Sequence, residues 1–264
     1  MTKTAQQPIG IFDSGIGGTS IWKEITNLLP DENTIYLSDS YNAPYGQKSK
    51  EEILQLSIKN TELLISKGCK IIVVACNTAT TNAIDYLRNN YNIPFIGIEP
   101  AIKPAALKTK TDTIGILATK GTLNSALFEQ TSSNIDDKIK IIEQIGQGLV
   151  ELIESGKIQS KEMTELLDKY LAPMIAAKCD YIVLGCTHYP YLIPQIKEIT
   201  GNTIKIIDSG EAVARQTKNI LVKTNNLNTF NKNVLHQFYI NKNKSVLEQF
   251  VSNYKNTIVK ELDF

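Results

Sequence analysis

Two stretches decide the fold: Cys69-Lys-Ile-Ile-Val-Val-Ala-Cys76 and Cys179-Asp-Tyr-Ile-Val-Leu-Gly-Cys186. Each is closed by cysteines seven positions apart, and the second repeats the first at an offset of 110 residues. The interiors, 71–74 and 181–184, are short apolar runs rich in β-branched residues, the composition of a buried strand. Along an extended strand, seven residues span roughly 23 Å at about 3.3 Å each. The two cysteines of one stretch therefore share neither a metal nor a disulfide. Cys69 and Cys179 open their strands and read as buried starts. Cys76 and Cys186 close them.

Working outward, the duplication extends over most of the chain. Ile9-Gly-Ile-Phe12 matches Ile114-Gly-Ile-Leu117, and Thr34-Ile-Tyr-Leu37 has a counterpart in Lys138-Ile-Lys-Ile-Ile142. Pro94-Phe-Ile-Gly-Ile98 and Ile204-Lys-Ile-Ile207 follow the cysteine strands, and each meets an acidic residue, Glu99 or Asp208. Helix-period segments lie between them, at 51–66 and 161–177. Short apolar strands alternating with amphipathic helices predict parallel sheets covered on both faces. The expected fold is α/β: two pseudo-symmetric open parallel-sheet lobes of about four strands each, with the active site in the cleft between them. Residues 1–98 plus 209–264 form the first lobe in this reading, and 99–208 the second. The tail, with a helix at 211–222, a strand at 237–240 and a helix at 246–254, is too short for a domain and is expected to pack back on the first lobe.

Composition narrows the function. With 28 basic and 27 acidic residues in 264, the net charge is +1, without the basic excess of a general nucleic-acid binder. The lysine- and asparagine-rich stretch 218–244 reads as a solvated face. No apolar run approaches the ~20 residues of a membrane helix. The start, MTKTAQQPIGIF, has no apolar core of a secretory signal. A cytoplasmic globular protein is expected, in which free thiols are buried, metal-binding or catalytic.

In open α/β sheets, ligands bind beyond the carboxyl ends of the strands. After the first strand come Asp13-Ser14-Gly15-Ile16-Gly17-Gly18, after the second Asp39-Ser-Tyr-Asn-Ala-Pro44-Tyr45-Gly46, and after the third Cys76-Asn77-Thr78. The second lobe offers Cys186-Thr187-His188-Tyr189-Pro190. The glycines after Asp13 fail the dinucleotide fingerprint, since Ser20 stands where the third glycine belongs. Taken singly, Asp13-Ser14-Gly15 is a turn with a helix cap, and a lone cysteine at a strand end is inert core. Two cysteines at matched strand ends, each expected at a helix start that lowers a thiol pKa, point instead to paired thiols. Asp13 and His188 are the candidates to tune them. Two thiols approaching a carbon from opposite faces can remove a proton from one side and return one to the other, which inverts configuration.

These motifs (Phe-Asp13-Ser14-Gly-Ile-Gly-Gly18, Pro44-Tyr45-Gly46, Ala-Cys76-Asn77-Thr78-Ala and Gly-Cys186-Thr187-His188-Tyr-Pro190) resemble those of glutamate racemases, in the aspartate/glutamate racemase superfamily. The resemblance runs from about Ile9 to Asp208. It implies interconversion of L- and D-glutamate with no cofactor and no metal, supplying D-glutamate for peptidoglycan, in a homodimer. By the resemblance, Cys76 deprotonates D-glutamate with help from Asp13. Cys186 deprotonates L-glutamate with help from His188 and a second-lobe glutamate, which corresponds to Glu154, with Glu151 one helical turn away as the alternative. It also implies that Asp13, Ser14, Tyr45, Gly46, Asn77, Thr78, Thr187 and His188 hold substrate. Three other readings stay open: a racemase of aspartate or another amino acid, a cysteine hydrolase using Cys186 and His188, and a non-catalytic amino-acid binding protein.

Overall fold

The computed structural model describes residues 3–231 and 233–264. Met1 and Thr2, at the head of the N-terminal stretch, and Lys232, within the lysine- and asparagine-rich segment, lie outside the described residues. Along the chain run β1 (Ile9–Asp13), α1 (Thr19–Leu28), β2 (Thr34–Ser38), α2 (Lys50–Ser66), β3 (Ile71–Val74), α3 (Asn77–Asn90) and β4 (Phe95–Gly97). Then come α4 (Ile102–Ala106), β5 (Thr113–Ala118), α5 (Lys120–Leu123), α6 (Ala126–Ser133), β6 (Lys140–Ile145), α7 (Leu149–Glu154), α8 (Lys161–Ala176), β7 (Tyr181–Gly185), α9 (Ile193–Thr200) and β8 (Lys205–Ile207). The tail holds α10 (Gly210–Lys223), β9 (His236–Ile240), α11 (Lys244–Val251) and β10 (Thr257–Glu261).

Two sheets result, and each sheet with its helices makes one lobe. The first has the order β10-β9-β2-β1-β3-β4 and the second β6-β5-β7-β8. Every paired strand is parallel. The duplication is visible in the topology, because β2-β1-β3-β4 and β6-β5-β7-β8 are the same order carried out twice. In both, the order reverses beside the first strand, between β1 and β3 and between β5 and β7. A crevice opens at the carboxyl ends of strands at such a switch point. The cysteine strands β3 and β7 occupy those positions.

Burial explains why these segments are strands. β1, β2, β3 and β7 are buried at every residue, as a parallel sheet covered on both faces requires. The helices that follow carry their own start signals. Ser49 caps α2 in a capping box with Glu52, and Ser160 caps α8 through the Met163 N–H. The main apolar core crosses from lobe to lobe, joining Ile11 and Trp22 to Leu149, Ile153, Leu167 and Leu184.

Four details differ from the sequence reading. The last helix covers Lys244–Val251 rather than 246–254. The strand placed at 138–142 begins at Lys140 and runs to Ile145, because it pairs with β5 as far as Ala118↔Ile145. A tenth strand, β10, joins β9 at the sheet edge, so the first sheet has six strands rather than about four. Cys186 is followed not by an α-helix start but by a turn and a short 3-10 helix, Tyr189–Leu192, before α9.

Candidate active site

The carboxyl ends of the switch-point strands face each other across a small, tight cavity. The first lobe lines it with Ser14, Pro44, Tyr45, Gly46, Cys76, Asn77 and Thr78, and the second with Thr119, Val150, Cys186, Thr187 and His188. Cys76 and Cys186 thus look into one space from opposite lobes. A wide groove, open to solvent, shares Pro44, Gly46, Thr119 and Val150 with the cavity and forms its vestibule.

Cys76 is the N-cap of α3, and its sulfur accepts the Ala79 N–H at 3.4 Å. Its thiol also reaches Ser14 Oγ at 3.6 Å. The helix start was expected to lower this thiol's pKa. Instead burial, reinforced by the nearby Asp13 charge, pushes it well up, and the Ala79 N–H only partly offsets that. Desolvation of a fully enclosed sulfur outweighs the pull of one backbone donor. Burial likewise raises Asp13 to about 6, against the opposing effects of His188 and the Gly18 N–H. Asp13 Oδ2 accepts that N–H at 2.8 Å, and Oδ1 receives Thr187 Oγ1 from the other lobe at 3.4 Å.

The second thiol has different company. Cys186 Sγ lies 3.7 Å from His188 Nδ1, and His188 Nε2 lies 2.6 Å from Glu154 Oε1. The Gly17 N–H also points at Nε2, at 3.2 Å, but a carboxylate only accepts, and the shorter, charge-assisted contact with Glu154 puts the proton on Nε2. Burial pulls the His188 pKa down, but its bonds to Cys186 and Glu154 and their charges outweigh this and hold it well above the usual histidine range. Glu154 is itself fixed from the first lobe: Oε1 accepts the Ile16 N–H at 2.6 Å and Oε2 the Ser40 hydroxyl at 2.8 Å. Glu151 lies elsewhere, at the surface, where it accepts Gln47 Nε2 at 2.6 Å.

The glycines that failed the dinucleotide pattern have a steric reason. A Cβ on Gly15 would run into the Glu154 carboxylate, and one on Gly17 into the His188 ring. The loop after β1 can lie against the second lobe only without side chains at these positions.

Of the residues singled out in the sequence, Ser14, Tyr45, Gly46, Cys76, Asn77, Thr78, Cys186, Thr187 and His188 line the cavity, while Asp13 and Glu154 stand just behind it. Tyr45 is buried, with its hydroxyl donating to Asp39 Oδ2 at 2.5 Å and accepting from Asn60 Nδ2 at 3.1 Å. Asn77 Nδ2 is buried with no hydrogen-bond partner. Thr119 and Ser40 received no role in the sequence reading. Thr119 follows β5 as Ser14 follows β1, so its place at a strand end was a usable signal, and its hydroxyl meets Thr78 Oγ1 across the cleft at 2.9 Å. Cys69 and Cys179 are buried, and burial raises their thiols to about 12 and about 11. Among the described residues, no cluster of His, Cys, Asp and Glu could hold a metal ion, and no helix is long and apolar enough to cross a membrane.

A duplicated parallel-sheet fold whose two halves each present a thiol to one shared cavity defines a two-lobed α/β protein with a paired-thiol site. The chain belongs to the Asp/Glu/hydantoin racemase family, whose model matches residues 10–217. It is 46% identical over 222 residues to a glutamate racemase of Herpetosiphon aurantiacus, covering 84% of this chain and 87% of that one. With a glutamate racemase of Ralstonia pickettii the identity is 47% over 215 residues, covering 81% and 76%. Among solved structures, a glutamate racemase isoform of Bacillus anthracis superposes with a TM-score of 0.85 at 31% identity, over 98% of both chains. The Francisella tularensis glutamate racemase in complex with D-glutamate gives 0.83 at 29% identity, again over 98% of both.

Proposed function

We propose that this chain interconverts L- and D-glutamate by a two-thiol, two-base proton transfer and so supplies D-glutamate for peptidoglycan. The observation that carries the reading is that Cys76 and Cys186, one from each copy of the repeat, face a single cavity. A hydrolase needs one thiol and a binding protein none, so the pairing favours inversion at carbon. Glutamate, rather than aspartate, is favoured by the glutamate racemases among the relatives and by the neighbour in complex with D-glutamate.

In this reading the substrate lies between the sulfurs. Asn77 Nδ2, buried without a partner, and the Thr78 hydroxyl offer donors to its carboxylate, where negative charge accumulates on deprotonation, while the Thr187 hydroxyl donates to Asp13. Ser14 and the Tyr45–Gly46 backbone complete the wall, since the Tyr45 hydroxyl is committed to Asp39. Asp13 faces the ammonium, and its charge keeps that group protonated. His188, held protonated by Glu154, stands 3.7 Å from Cys186, whereas burial holds Cys76 as thiol. With L-glutamate, Cys186 takes the α-proton and Cys76 delivers another to the opposite face. The reverse direction exchanges the roles. The same reading carries lobe boundaries at 98/99 and 208/209, a cytoplasmic location and a homodimer.

Purified protein incubated with L-glutamate in deuterium oxide tests it. Optical activity is expected to decay without added cofactor, and the D-glutamate formed first is expected to carry deuterium at the α-carbon. Cys76→Ser and Cys186→Ser are each expected to slow racemisation by a factor on the order of 10²–10⁴. Well-folded protein that neither racemises nor exchanges the α-proton would refute the proposal. Full racemisation by Cys76→Ser would refute the two-thiol mechanism.

A further inference from the structure

Glu154 belongs to the second lobe, at the end of α7, yet two of the donors that fix its carboxylate come from the first: the Ile16 N–H on Oε1 and the Ser40 hydroxyl on Oε2. The hydrogen-bond directions follow from what each group can do. A carboxylate accepts, so Ser40 gives its proton to Glu154. The contact between Ser38 Oγ and Ser40 Oγ, at 3.0 Å, must then have Ser38 as donor. A directed chain runs from Ser38 at the end of β2 through Ser40 to Glu154, which also receives His188, and His188 meets Cys186. All five residues are buried, so none of these bonds is exchanged for water at low cost. The partners of Cys76 are of another kind, Ser14 Oγ and the Ala79 N–H.

We propose that Ser40 is a positioning residue for the Cys186 half of the reaction: from the first lobe, its hydroxyl fixes the Glu154 carboxylate that holds His188 against Cys186. The proton relay behind one thiol is thereby assembled only when the two lobes are together. The inference rests on the two-thiol reading above and adds a residue to one face of it. Ser40 touches neither the cavity nor a sulfur and acts through Glu154.

An irreversible reaction that begins at each face separately tests it. With 3-chloroglutamate, a thiolate takes the α-proton, the C–H electron pair becomes the Cα=Cβ bond, and chloride leaves with its bonding pair. The enamine then hydrolyses to 2-oxoglutarate and ammonia. Chloride release from the isomer with L configuration at Cα reports Cys186, and from the D isomer Cys76. Ser40→Ala is expected to slow L-side release about tenfold, the scale of one lost hydrogen bond to a charged group, with the D side changed less than about twofold. D-side release in the same sample shows that the variant folds. Glu154→Gln is expected to give the same one-sided loss, and Ser40→Thr, which keeps the hydroxyl, to stay within about threefold of the parent on both sides. Equal slowing of both isomers in Ser40→Ala, no slowing, or a threonine variant as slow as alanine would each overturn the proposal. If the parent protein releases chloride from neither isomer, or Cys186→Ser leaves L-side release intact, the two-thiol reading itself has failed, and the assignment of Ser40 goes with it.

Discussion

Asp13 shows what the site costs the fold. Fully buried, it has its pKa raised to about 6 from the ordinary value near 4. Between those values the folded protein binds more protons than the unfolded chain, so stability falls as pH rises through this window. Above about pH 6 the whole cost is in force, on the order of 3 kcal/mol. Asp13→Asn, which can still accept the Gly18 N–H, is therefore expected to unfold several degrees higher than the parent at pH 7.5. The gain should shrink toward pH 4, and thermal unfolding followed by circular dichroism at a series of pH values measures it. Racemisation is expected to be lost in the same variant. Much of this site was legible in the sequence because strand ends concentrate function: Asp13, Cys76, Cys186 and His188 each follow a recognisable apolar run. The protonation of Cys76 was not legible. Sequence shows a thiol at a helix start, but only packing shows the desolvation that reverses the sign.

At the scale of elements, duplicated strands were readable and edge strands less so. β3 and β7 are apolar throughout because both faces are covered. β10, with Thr257, Ile258, Val259, Lys260 and Glu261 half-buried or exposed, has no such run, and its pairing with β9 comes from tertiary docking. β9 itself is fastened by a histidine that sequence left without a partner. Trp22 Nε1 can only donate, so Thr34 Oγ1 accepts it at 2.9 Å and passes its own proton to His236 Nδ1, also at 2.9 Å. That nitrogen must be free of a proton, and burial lowers the His236 pKa to about 4. Here the unfolded chain binds more protons between pH 4 and 6.5, so the stability contributed is fully present above about 6.5 and is lost as pH falls toward 4. His236→Gln, which keeps an acceptor and does not titrate, is expected to flatten the acid side of the stability curve. Urea unfolding at pH 7, 5.5 and 4.5, compared with the parent, reads this out.

For the whole molecule, one buried ammonium ties distant parts of the first lobe together. Lys70 Nζ, just before β3, donates to Glu32 at 2.5 Å, to the Ala5 carbonyl at 2.7 Å and to the Asn226 carbonyl at 2.9 Å. Glu32 in turn accepts the Asn228 N–H at 2.8 Å. The N-terminal segment, the α1–β2 turn and the connection from α10 to β9 thus converge on a single ion pair. Lys70→Met leaves the Glu32 carboxylate buried without its cation and is expected to cost about 3–5 kcal/mol in chemical denaturation. No local pattern announces such a pair. A lysine before an apolar strand and a glutamate after a helix are ordinary surface residues until the tail folds over them.

The repeat copied the thiols but not their helpers. Cys76 is backed by Asp13, while Cys186 is backed by His188 and Glu154. The enantiomers of a free amino acid have equal free energy in water, so the equilibrium constant of the proposed reaction is one. Thermodynamics then requires the two directions to share a single kcat/KM, however unlike the two faces are. The unequal surroundings of the sulfurs can therefore be expressed only as a division of that ratio: whatever factor separates the two enantiomers in kcat separates them in KM as well.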